Sequence, residues 1–115
     1  MDYRAPHQLQ CDFLNMIVAA SEPELARALE SQFQGALVAP EDHCSICFTL
    51  ELVNRTLRLP SGCGKPLIYG VWDSNFESQA TEVLLWHEHG FVDAVEISWV
   101  GDEHPELNKI FVQHR

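Results

Sequence analysis

The sequence predicts an α+β domain: two N-terminal helices packed on one face of a mostly antiparallel sheet that ends in a long hairpin. Three observations carry that reading. Two segments with apolar residues at three-and-four spacing come first, and strand-like alternation follows them. The sharpest local signal comes last, where Thr81–Glu88 and Phe91–Val100 read as two strands around a His89-Gly90 turn.

The first helix spans His7 to Ala20, with Leu9, Phe13, Met16, Ile17 and Ala20 as its apolar stripe. Ser21-Glu-Pro-Glu24 then predicts the start of a second helix. Ser21 is placed to accept free backbone amides, Pro23 fits the first turn, and Glu24 completes a capping box. Leu25, Ala28, Leu29 and Phe33 form the buried stripe of that helix, and Gly35 caps its end.

Ala36–Ala39 is an apolar run closed by Pro40 and suits an edge strand. Cys44 to Val53 alternates, with Ile46, Phe48, Leu50 and Leu52 on one face and Cys47, Thr49 and Glu51 on the other. Asn54-Arg-Thr56 is a turn, Leu57–Leu59 a short return strand, and Ser61–Pro66 a loop by composition. Leu67–Trp72 is the next strand, Asp73–Gln79 a polar loop, and the tail beyond Pro105 a short helix or strand.

In the hairpin, a two-residue turn needs positive φ at both central positions, which Gly90 supplies freely and His89 tolerates. That turn pairs Glu88 with Phe91, Trp86 with Asp93, Leu84 with Val95 and Glu82 with Ile97. It places Leu84, Trp86, Phe91, Val95, Ile97 and Trp99 on the core face. Asp93 is out of place there, and a bulge near the turn would turn Asp93 and Trp86 to opposite faces.

At 115 residues the chain is one domain, with the 46% apolar and 21% charged residues of a soluble protein. No apolar run reaches membrane-helix length, and Met1–Pro6 lacks a signal pattern, so a cytoplasmic protein is expected. Seven basic against seventeen acidic residues give a net charge of −10. Between Lys65 and Lys109 there is no Lys or Arg, whereas Asp73, Glu77, Glu82, Glu88, Asp93, Glu96, Asp102, Glu103 and Glu106 all lie there. Such a field disfavours nucleic acid and anionic membrane and steers a basic partner, although a solvated acidic surface is the simpler explanation.

Candidate chemistry is sparse. Cys44-Ser-Ile-Cys47 with Cys63 needs a fourth zinc ligand, for which His43, His87, His89 and His104 are available. On an extended strand Cys44 and Cys47 point to opposite faces, and small reduced core thiols are the simpler expectation. His87-Glu-His89 lacks a partner nucleophile, and turn chemistry explains it. Gly62-Cys-Gly-Lys65 is not a phosphate loop: Leu59 stands where a glycine is needed and Pro66 where Ser or Thr is needed. No cofactor or metal and no enzymatic activity are expected.

The run Glu82-Val-Leu-Leu-Trp-His-Glu-His-Gly90-Phe-Val-Asp-Ala-Val-Glu96-Ile, then Gly101-Asp-Glu-His-Pro105, resembles a group of small bacterial proteins. The Cys44–Cys47 segment matches theirs loosely, and some similar proteins are taken as toxin-immunity proteins. This chain departs from them at His89, where Asp or Asn is usual, and in lacking Gly and Pro in the Cys segment. The resemblance implies a stoichiometric binding protein that neutralises a toxin. Combined with the charge map, it points to a basic protein partner met by Glu82, Glu88, Asp93, Glu96, Asp102 and Glu103, with Trp86 or Trp99 as the aromatic anchor. The alternative is a small metal-binding or enzymatic domain built on Cys44, Cys47, Cys63 and a histidine.

Overall fold

Apolar alternation and helical stripes resolve, in a computed structural model, into two helices followed by one six-stranded antiparallel sheet. The structure describes residues 2–42, 44–73, 80–101 and 105–113.

Helix α1 (Gln8–Ala19) starts on His7, whose ring accepts the Gln10 amide while the Gln10 side chain accepts the His7 amide. This capping box uses a histidine and went unforeseen. Phe13, Leu14 and Ile17 are its buried face; Leu9 is exposed. In helix α2 (Pro23–Phe33) the N-cap position falls on Glu22 and not on Ser21, and the Glu22 side chain makes no capping hydrogen bond. Ser21 instead donates its hydroxyl proton to the Ile17 carbonyl, 2.7 Å away, and meets the Tyr69 hydroxyl, also at 2.7 Å. A residue one place before the cap cannot reach the free amides, so its side chain ties the helix joint to the sheet. Leu25, Ala28, Leu29 and Gln32 face inward, with Phe33 only partly covered.

The strands are β1 (Leu37–Glu41), β2 (Cys44–Glu51), β3 (Leu67–Asp73), β4 (Ala80–Glu88), β5 (Phe91–Trp99) and β6 (Ile110–Val112), in the order β1-β2-β5-β4-β3-β6. Pro40 sits inside β1, paired with Phe48, which an edge strand tolerates. Asn54 Oδ1 accepts the Thr56 amide and hydroxyl, forming the expected turn. Leu57–Leu59 forms no strand. The expected polar loop falls largely on residues 74–79, outside the described residues, and the tail holds both a short 3-10 turn (Leu107–Lys109) and β6.

Cross-strand register explains the core. Leu67, Leu85, Val95 and Phe48 are successive partners across four strands, and all are at most 1% exposed. Tyr69, Val83 and Ile97 form the adjacent row. With Phe13, Ile17, Leu25 and Leu29 of the helices they make one continuous core on one face of the sheet.

The hairpin register corrects the expected one. Glu88 pairs with Phe91 and His87 with Val92, but Trp86 then pairs with Ala94, Leu85 with Val95 and Leu84 with Glu96. Asp93 is the extra residue of a bulge. Because side chains alternate with period two, one inserted residue exchanges the faces of β4 from Trp86 back to Glu82, where a second register shift follows. Val83 and Leu85 therefore occupy the core in place of Leu84 and Trp86, while Phe91, Val95 and Ile97 stay inside as expected.

The cysteines also depart from expectation. Cys44 and Cys47 form a disulfide, with Cα atoms 5.2 Å apart. Three residues of fully extended strand span about 10 Å, so the chain is locally turned there. That turn lies beside the register shift at Pro40/Glu41, where Glu41 meets Cys44.

Candidate functional site

The bulge at Asp93 decides what the outer face of the sheet presents. Beyond it, Trp86 points away from the helices and is 39% exposed. Its indole N–H donates to Glu96 Oε1 at 2.8 Å, which fixes both the ring and the carboxylate. Leu84 is the cross-strand partner of Glu96 and also of Ile68, itself exposed; Glu82 pairs with Ser98 in the next row. An amphipathic aromatic ring, aliphatic neighbours and two carboxylates thus share one face.

The remaining proposed partner-binding residues are distributed differently. Trp99 is half-buried and packs against the core, so Trp86 is the more exposed of the two hairpin tryptophans. Glu88 lies beside the turn and accepts from Lys65 Nζ at 2.8 Å. That hydrogen bond, then the Lys65 charge, holds the Glu88 carboxyl below its ordinary range. Asp93 is exposed at the bulge; partial burial of its carboxyl, then the nearby Glu88 charge, raises its pKa. Asp102 and Glu103 lie outside the described residues.

The hairpin tip is clamped from several sides. His89 and Gly90 adopt φ of 54° and 86°, as the turn requires. The Gly90 carbonyl accepts from Leu59 N at 2.9 Å and from Gln32 Nε2 at 2.9 Å, and the His89 carbonyl accepts from Arg58 Nη1 at 2.7 Å. Arg55 and Arg58 stand over the Phe91 ring, 4.3 and 5.1 Å from its centroid. The His87 ring nitrogen Nε2 meets the Gly64 carbonyl. Between this tip and the Arg58–Lys65 segment lies a cavity of about 560 Å³.

For a metal, Cys44 and Cys47 are bonded to each other, and among the described residues no group of three or more His, Cys, Asp or Glu is disposed to hold an ion. Cys11 and Cys63 are not part of that bridge; His43 and His104 lie outside the described residues. Among those residues no helix is long and apolar enough to cross a membrane. No family model, curated protein or solved structure matches the chain.

Sequence reasoning missed Gln32 and Arg58. Gln32 carried a readable signal, since it falls on the inward stripe three residues after Leu29 and seven after Leu25. A polar residue there must find buried partners. Arg58 carried none, because its role depends on a turn that lies 31 residues downstream.

Proposed function

We propose that the chain is a non-enzymatic binding protein that docks a basic protein through the outer sheet face around Trp86, Glu82 and Glu96. The observation that carries this reading is the Trp86–Glu96 pair. An exposed tryptophan held in place by a carboxylate offers a large anchoring surface at little entropic cost, with negative charge at its rim. Its partner chemistry is a Lys- or Arg-bearing surface, which the net charge of −10 would steer toward the chain.

Within that reading, the specific form is an immunity protein that neutralises a bacterial toxin by stoichiometric masking. What supports it is the resemblance of the Glu82–Ile97 hairpin and the acidic span from Asp73 to Glu106. A cytoplasmic place of action belongs to the same proposal. The Cys44–Cys47 bridge stands against it, since reducing compartments keep most thiols unpaired.

The test is co-expression with the product of the adjacent gene, followed by titration of the two purified proteins. A one-to-one complex that forms more slowly at high salt and is weakened by Trp86→Ala and by Glu82→Lys/Glu96→Lys is expected. A failure to form any complex, or one indifferent to all three changes, would remove this face as the site.

A further inference from the structure

The cavity at the hairpin tip has a chemistry opposite to that of the outer sheet face. We propose that it binds a small phosphorylated molecule through its phosphate group. In a chain with seventeen acidic and seven basic residues, its lining contains Arg58, Lys65, His87 and His89 and, among the described residues, no carboxylate. The acidic residues that act on this end are Glu88, already bound to Lys65, and Asp93 on the bulge, within electrostatic reach of both Lys65 and His87.

Preorganisation strengthens the case. Arg58 is held by the His89 carbonyl and the Phe91 ring, so its fork is oriented before any ligand arrives. Its backbone neighbour is equally fixed, because Leu59 N donates to Gly90 O. Lys65 also lines the cavity, anchored by Glu88, and His87 is placed by the Gly64 carbonyl. A planar guanidinium and a point-charge ammonium on residues that line one cavity suit a tetrahedral dianion better than a neutral ligand. The cavity, at about 560 Å³, falls within the range of small-molecule sites.

This is not a nucleotide loop. Strand β3, not a helix, follows Lys65, and the cations are side chains brought together by tertiary contacts. Nor does the proposal depend on the acidic docking face, since it concerns the isolated chain.

The experiment is a titration of the purified protein with inorganic phosphate, followed by amide NMR, with acetate and chloride as controls. Saturable shifts at Gly62, Gly64, Lys65 and His89 are expected with phosphate only. Arg58→Gln and Lys65→Gln should each weaken binding about ten-fold, as loss of one charge-assisted hydrogen bond does. Arg27→Gln, outside the cavity, should leave it unchanged. Lys65 is well exposed, so its variant folds even where Arg58→Gln does not. Shifts that never saturate, an equal response to acetate or chloride, or phosphate binding unaltered in Lys65→Gln would overturn the proposal.

Discussion

Gln32 on α2 reaches the backbone of Val92 on β5: its side-chain oxygen accepts the Val92 amide at 2.9 Å. The same side chain donates to Leu57 O at 2.8 Å and Gly90 O at 2.9 Å, and it is fully buried. One helical amide thus satisfies groups on loop and hairpin where the ladder is broken by the Asp93 bulge. Gln32→Leu strands the Val92 amide and the Leu57 carbonyl, although Gly90 O keeps Leu59. A loss of about 3 kcal/mol is expected in urea unfolding, at about 1–3 kcal/mol for each buried group left unpaired.

At the turn, Gly90→Ala should destabilise by about 2 kcal/mol. A Cβ there would lie 3.0 Å from Arg58 Cβ, and φ is +86°. His89→Gly should act in the other direction, raising stability by up to about 1 kcal/mol, because His89 carries positive φ with a side chain. Paired thermal melts of the two variants check the sign of each.

Trp86→Ala separates docking from folding. The ring is partly exposed and hydrogen-bonded only at the surface, so stability should fall by no more than about 1 kcal/mol. Partner affinity should fall by about 2 kcal/mol or more, as for an aromatic anchor. Leu85→Ala, by contrast, should cost about 3 kcal/mol of stability, since that side chain is 0% exposed.

Two carboxylates give opposite pH signs. Glu88 has its folded pKa lowered by Lys65 below the ordinary 4.5, so its contribution is present above 4.5 and lost as pH falls through the folded value. Lys65→Met should return the Glu88 titration toward 4.5 in carboxyl NMR. Asp93 has its folded pKa raised above 3.8 by burial and by Glu88. Its contribution is present below 3.8 and lost as pH rises through the folded value. Asp93→Asn should therefore gain stability over the native chain at neutral pH and show no such gain below 3.8.

Thiol counting checks the disulfide. Unfolded without reductant, the protein should expose Cys11 and Cys63 alone to alkylation, and all 4 cysteines after reduction. Cys44→Ser/Cys47→Ser should cost about 2 kcal/mol, the small effect of closing a short loop.

Local patterns made much of this fold legible. Alternation in Cys44–Val53, the apolar run Leu67–Trp72, the helical stripes, and positive φ at His89-Gly90 all reflect forces acting within a few residues. The side of the hairpin facing the core was not legible, because an extra residue at Asp93 costs little locally yet exchanges Trp86 for Leu85. Likewise, Ser21 as a helix cap rested on spacing alone, and the nearness of the Tyr69 hydroxyl reassigned it.

By itself, then, the chain determined its element types, its order of helices before strands, and the excess of carboxylates after Lys65. Only the tertiary structure decided that Trp86 faces outward beside Glu96, that Gln32 clamps the hairpin, and that Arg58 and Lys65 line one cavity. The reason is range: propensity and alternation are read along neighbouring residues, whereas a bulge, a buried amide and a charge cluster are settled between segments distant in sequence.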